Sequence, residues 1–228
     1  MHNERANAAP LIREIHAALQ GIEHEIIAVD DGSDDGTDAE LFALVAQYPV
    51  LRIVVLARRA GQSAATVAGF EAARGAILVT MDADGQHDPR DIPRLLELLE
   101  GPSRPDAVAG VRAVRHDSIG RRWQSRVANA IRDRLTGDRV RDSACAFRVI
   151  RRDAVVAIPR FDGMHRFLPT LLCLSGRTVI QAPINHRPRR AGVSKYGLLD
   201  RAWRGLLDSL GVRWLKRRAL RYEVRSEK

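Results

Sequence analysis

The 228 residues can bury the core of one large α/β domain, and their formal charge of +9, with a pI near 10.6, calls for an anionic partner. Cys145 and Cys173 show no Cys-x-x-Cys spacing, which argues against a disulfide framework or zinc site and fits a reducing, cytoplasmic compartment. Aromatics are only 5% of the chain and no helix-turn-helix, zinc-finger or RRM signature occurs, so nucleic acid is set aside in favour of phosphorylated small molecules or an acidic membrane surface.

Apolar runs bounded by Gly, Asp or Pro alternate with helical periodicity along the first half. The pattern predicts a helix over 4–19, a strand over 25–29, a helix over 38–47, a strand over 51–56, a helix over 62–74, a strand over 76–81 and a helix over 91–100. Such alternation is the mark of strand-helix-strand units on a mostly parallel sheet. A strand over 106–111 then leads into a basic helical segment over 119–135 and a short apolar stretch over 145–150. A helix over 164–174, a strand over 178–184, a basic loop over 186–195 and a helix over 198–217 follow. No apolar run approaches the roughly 20 residues that cross a bilayer, so any membrane contact is expected at its surface.

Two strand ends carry paired acids. The run Val29-Asp30-Asp31-Gly32-Ser33-Asp34-Asp35-Gly36-Thr37 enters a helix through Gly and a Thr or Asp cap. Acids at a strand's carboxyl end can accept hydrogen bonds from a base or a ribose. A calcium loop fits its first half but fails at Phe42, where a bidentate glutamate is required. Asp34, Asp35 and Asp38 read as solvated acids of a capped loop. The second pair, Asp82 and Asp84 in Met81-Asp82-Ala83-Asp84-Gly85-Gln86-His87-Asp88-Pro89, puts hard oxygen ligands at a sheet rim, although an Asp-Gly surface turn would look the same in isolation. With Asp30 and Asp31 about fifty residues upstream in the same α/β chain, a phosphate-metal site is favoured. Later, Arg189-Arg190-Ala191-Gly192-Val193-Ser194-Lys195 joins cations to a flexible Gly-x-Ser, a loop able to close over a pyrophosphate.

These motifs, in this order and spacing, resemble those of family 2 glycosyltransferases of GT-A fold, most closely the dolichol-phosphate and polyprenyl-phosphate hexosyltransferase branch. Asn3-Glu4 is similar to the end of the family's Pro-x-x-Asn-Glu turn, 29–37 to its Val-Asp-Asp-Gly-Ser-x-Asp-Gly-Thr, and 81–89 to its Met-Asp-Ala-Asp-x-Gln-x-x-Pro. The stretch over 142–148 resembles Asp-x-x-Ser-Gly-Phe-Arg, and 189–196 resembles Arg-x-x-Gly-x-Ser-Lys-Tyr. Departures are Ala144 and Ala146 in the small-residue motif and Gly85 where a hydrophobic residue is usual. The family's first strand should precede His2-Asn3-Glu4, so an amino-terminal truncation or a late start is expected, with a central sheet position left empty.

The resemblance implies an inverting, metal-dependent transfer of a hexose from a nucleotide sugar, UDP- or GDP-linked, to a polyprenyl phosphate. It implies Mg²⁺ or Mn²⁺ on Asp82, Asp84 and Gln86, and the nucleotide sugar on Asn3, Glu4, Asp30, Asp31, Asp82 and Ala83, with its phosphates on Arg189 and Lys195. The acceptor phosphate would fall to Arg112, Arg121 and Ser125. A phosphate acceptor, with a second pKa of about 6, is already ionised near neutrality and needs no strong base. An acceptor hydroxyl on a polysaccharide or another lipid would need one, and Asp142 is then the candidate. An inert nucleotide-sugar-binding relative is the other alternative. Asp82, Asp84, Asp142 and Lys195 are thus the catalytic candidates.

The domain reading is a glycosyltransferase unit over 1–196, with a nucleotide-sugar half to about 112 and an acceptor half over 113–196, then a basic amphipathic helix and tail over 197–228. Leu198, Leu199, Ala202, Trp203, Leu206, Leu207, Leu210 and Trp214 form its apolar stripe beside Arg201, Arg204, Arg213, Lys216, Arg217 and Arg218. That pattern suits the anionic inner face of a membrane, or equally a helix packed on the core. An integral membrane partner is expected to help supply the lipid.

Overall fold

The computed structural model describes residues 1–112, 134, 137, 140, 142–143, 145–156, 158–188 and 198–218. In chain order they form α1 (Arg5–Ala18), β1 (Ile26–Asp30), α2 (Thr37–Val45), β2 (Leu51–Val55), α3 (Gln62–Ala72), β3 (Ile77–Thr80), α4 (Ile92–Glu100), β4 (Ala107–Arg112), β5 (Arg148–Arg151), α5 (Arg152–Val156), α6 (Leu168–Leu174), β6 (Val179–Ile184) and α7 (Leu198–Arg218). Short 3₁₀ turns at Pro89–Asp91 and Met164–Arg166 precede α4 and α6. Apart from Arg134, the predicted helix over 119–135 lies outside the described residues.

Strands form where β-branched residues concentrate, as in Ile26-Ile27-Ala28-Val29, and β1 buries alternate side chains. β1 pairs with β2 in parallel, Ile26 opposite Leu51. The other strands run in the order β3-β5-β4-β6, with β4 and β6 parallel. The apolar stretch over 145–150 contributes β5, which enters antiparallel to both β3 and β4. The sheet is therefore mixed at its centre, since alternating apolar residues specify a strand but not its direction. Among the described residues no ladder joins β1 to β3. Met1 instead lies along the end of β1, its nitrogen donating to Val29 O at 2.6 Å and its carbonyl accepting from Asp31 N at 2.7 Å.

Three apolar clusters hold these layers. One sets Ile92, Leu95 and Leu99 of α4 against Val108, Phe147, Val149 and Ile184. On the opposite face Ile150 packs with Leu168, Leu171 and Leu172 of α6 and with Val212 of α7. The third seals α1 and α2 over β1 and β2 through Ile12, Leu41, Ile26 and Leu51. Burying one such Leu or Ile is worth about 1.5–3 kcal/mol. Because both faces are covered, the strand ends are where polar side chains can gather, and the acidic runs after β1 and β3 lie there.

Candidate active site

The β1 end is knitted into its own loop. Asp30, 1% exposed, accepts Ser33 N at 3.2 Å and the Ser33 hydroxyl. Asp31 crosses to the loop before α3, taking Ala60 N at 2.6 Å and Gly61 N at 2.9 Å. The crossing is tight: at Gly32, φ +59°, a Cβ would fall 2.5 Å from Arg58 C, so only glycine fits. Asn3 and Asp34 exchange hydrogen bonds at 2.6 and 3.1 Å, and Glu4 N donates to Thr37 Oγ1 at 3.0 Å. The structure thus gathers Asn3, Glu4, Asp30 and Asp31 on one rim, with much of their hydrogen-bonding capacity already used internally.

The β3 end is built differently. Asp82 accepts Gln62 Nε2 at 2.8 Å, and Asp84 accepts Gln86 N at 3.1 Å. Burial first, and then the neighbouring Asp84, pushes the Asp82 carboxyl up to about 6, despite the opposing pull of Arg148 and Arg112. Asp84 is buried as well. Two carboxylates that repel each other in a poorly solvated rim suit a hard divalent cation. Among the described residues no three His, Cys, Asp or Glu side chains come together as a metal cage. Asp82 and Asp84 could therefore provide part of an oxygen shell, completed by water and phosphate as such cations commonly are. Gln86 turns its amide nitrogen toward His186 Nε2 at 3.4 Å, with Arg187 O at 3.5 Å.

The loop that carries these acids is pinned on both sides. His87 receives Asp82 N at Nδ1, 3.4 Å away, and sets Nε2 3.8 Å from Cys145 Sγ. Burial lowers this imidazole to about 4, so it is neutral near pH 7. Burial alone would raise Asp88, yet hydrogen bonds from Arg90 and Arg187 hold it well below the ordinary carboxylate range. Arg187 reaches Asp88 Oδ1 and Glu14 Oε2, both at 2.6 Å, tying α1, the acidic loop and the segment after β6 together.

At the end of β4, Arg112 grips Asp142 with Nε and Nη2, each at 2.8 Å, and Asp142 is only 4% exposed. Asp142 is thus engaged by the Arg112 guanidinium through two hydrogen bonds. Arg148 is buried beneath, donating Nη2 to Ser143 O at 2.8 Å. Arg121, Ser125, Arg189 and Lys195 lie outside the described residues. Gln62, His87 and Arg187 are the contributors that motif reading did not assign a role; only Arg187 gave a signal, as part of the late basic cluster.

Fold and rim together define an α/β protein with paired carboxylates at two neighbouring strand ends. The family model for glycosyl transferase family 2 matches residues 1–158, and the chain belongs to that family. It is 35% identical over 229 residues to the dodecaprenyl-phosphate galacturonate synthase of Rhizobium johnstonii, covering 98% of this chain and 66% of that protein. It is 38% identical over 199 residues to the undecaprenyl-phosphate 4-deoxy-4-formamido-L-arabinose transferase of Pseudomonas syringae pv. syringae, covering 86% and 58%. The chain therefore spans less than two thirds of the length of these relatives. The GT-A architecture is that of a Pyrobaculum calidifontis mannosyltransferase solved with GDP-Man and Mn²⁺ (TM-score 0.65, 21% identity, 97% of this chain and 63% of that one). Glucosyl-3-phosphoglycerate synthase of Mycobacterium tuberculosis, solved with Mn²⁺, UDP-glucose and glycerol 3-phosphate, has the same fold (TM-score 0.66, 20% identity, 93% and 77%).

Proposed function

We propose that this chain is an inverting glycosyltransferase that moves a hexose from a UDP- or GDP-sugar to a polyprenyl phosphate on the inner face of a membrane. The observation that carries the reading is the Asp82–Asp84 pair, two mutually repelling carboxylates at a strand end, in a chain whose relatives are named as polyprenyl-phosphate sugar transferases. A bound Mg²⁺ or Mn²⁺ would supply Lewis-acid stabilisation of the departing nucleoside diphosphate. Asp82 and Asp84 would hold it, with Gln86 beside them, while Asn3, Glu4, Asp30, Asp31 and Ala83 frame the nucleotide. Arg189 and Lys195 neutralise its phosphates as charge builds on them.

A phosphate acceptor arrives ionised, so the chemistry needs no proton acceptor on the protein. The paired state of Asp142 supports that choice over a hydroxyl acceptor. In this reading Arg112 is a cation at the acceptor side, anchored by Asp142, with Arg121 and Ser125 completing the phosphate site.

Helix α7 supports the membrane part. Val212 and Ser209 are buried, whereas Leu207, Leu210 and Trp214 are 48%, 47% and 60% exposed beside exposed Arg213, Arg217 and Arg218. The helix thus packs on the core by one face and offers another, apolar and ringed by cations, to an anionic surface. Among the described residues no helix is long and apolar enough to cross a membrane. The test is transfer from a panel of UDP- and GDP-sugars to undecaprenyl phosphate. A metal-dependent lipid-linked product is expected, and transfer to hydroxyl acceptors with none to the phosphate would overturn the assignment.

A further inference from the structure

Three consecutive residues at the start of α3 reach three different segments. Gly61 N donates to Asp31 at the end of β1, Gln62 Nε2 donates to Asp82 at the end of β3, and the Ser63 hydroxyl meets His165 Nδ1 at 2.7 Å. Ser63 Oγ also accepts Gly163 N at 2.9 Å. The Ser63–His165 contact bridges 102 residues and joins the nucleotide half to the 3₁₀ turn at Met164–Arg166. That turn abuts α7, for Arg166 pairs with Asp208 at 3.5 Å, and a Cβ on Gly163 would fall 2.6 Å from Asp208 Oδ2.

The charge of the pair follows from its surroundings. Burial, and then Arg166 and Arg148, lower the His165 imidazole to about 4, so the ring is neutral near pH 7. Ser63 Oγ accepts from Gly163 N and shares a second hydrogen bond with His165 Nδ1, donated by the hydroxyl or by the ring according to the tautomer. Arg148 acts electrostatically on both His165 and Asp82. The histidine and the rim carboxylate therefore both feel one buried guanidinium, and a neutral ring adds no second positive charge to it.

We propose that His165 is a positioning residue for the acidic rim: through Ser63 it fixes the first turn of α3, and Gln62 on that turn holds Asp82 in its cation-binding conformer. The inference rests on the functional reading above, in which Asp82 is a metal ligand. A carboxylate ligand held by an outer hydrogen bond typically loses about tenfold or more in metal affinity when that support is removed. Ser63→Ala and His165→Ala break the pair. Gln62→Ala removes the last link from an exposed position. His165→Asn keeps a group able to donate or accept near the Nδ1 position and should rescue.

Calorimetric titration of Mn²⁺ with UDP, and with GDP, into the whole protein tests this, with a thermal melt of every variant to set a temperature at which all are folded. Ser63→Ala, His165→Ala and Gln62→Ala should each weaken Mn²⁺–nucleotide binding by about tenfold, and His165→Asn should stay within about twofold of wild type. Wild-type affinity in the folded Ser63→Ala and His165→Ala variants would overturn the proposal, leaving the pair a purely structural contact. So would a His165→Asn protein as weak as His165→Ala. A wild-type protein that binds neither Mn²⁺–UDP nor Mn²⁺–GDP would remove the functional reading and this inference with it.

Discussion

At the end of β1, Asp30 and Asp31 accept N–H and O–H groups from Ser33, Ala60 and Gly61, while at the end of β3 Asp82 accepts one amide from Gln62 and is pushed toward protonation by burial and by Asp84. The same residue type thus serves two ends. Carboxylates whose lone pairs are taken by backbone donors shape a loop and stabilise it. Carboxylates that repel each other weaken the metal-free protein and gain when a cation arrives. The contrast separates acids held in place by backbone donors from acids whose mutual repulsion a cation would relieve.

The largest expected effect follows on the β3 side. Asp82→Asn or Asp84→Asn should reduce transfer by about 10²-fold or more, the order lost with a main electrostatic stabiliser. The melting temperature of the metal-free protein should hold or rise, because repulsion is relieved. Steady-state rates and melting curves check both halves. On the β1 side the pattern should invert. Asp31→Ala leaves the Ala60 and Gly61 amides without their carboxylate, at a cost of about 1–3 kcal/mol. Urea unfolding should show that loss, while Mn²⁺ affinity measured on the folded fraction should change far less than in Asp84→Asn.

Asp142→Asn should also destabilise, because Arg112 would lose its ionic partner. With a phosphate acceptor it should leave the shape of the pH–rate profile unchanged. A lost acidic limb in that variant would make Asp142 a base. His165 adds a pH term to stability. Its folded value of about 4 lies below the ordinary 6.5, so the unfolded chain binds the proton first as pH falls. The stability it contributes is intact above pH 6.5 and is lost progressively as pH falls toward 4. His165→Asn should make that acid limb shallower in unfolding experiments, with His87 still supplying a slope of the same sign. The smallest effect concerns α7: Trp214→Ala should weaken binding to anionic vesicles several-fold without altering rates on a detergent-solubilised acceptor.

Much of this was legible in the chain. The acids at 30–31 and 82–84 stand where apolar strand runs stop, so the sequence alone places both rims, and the described strands end within a few residues of their apolar runs; the helix expected over 164–174 instead splits into a 3₁₀ turn and α6, and the short α5 has no counterpart in the sequence reading. What sequence hides is partnership at a distance. Ser63 and His165 lie on unrelated motifs, and nothing local marks either as part of a pair. Asp142 has its ionic partner, Arg112, thirty residues away on β4, and no local pattern announces that pair. The antiparallel entry of β5 is likewise a matter of tertiary pairing, since the alternation in Val149 and Ile150 is the same for either direction. Helix α7 carried two readings: the burial of Val212 in the core fits a packed helix, and the exposed Leu207, Leu210 and Trp214 are what the proposed membrane contact would use.

The most direct test is a transfer assay with labelled UDP- and GDP-sugars, Mn²⁺ and undecaprenyl phosphate, run with wild type and Asp84→Asn side by side. A labelled polyprenyl-phosphate sugar that requires both the metal and Asp84 is the predicted result. Equal product from the two proteins would contradict the account.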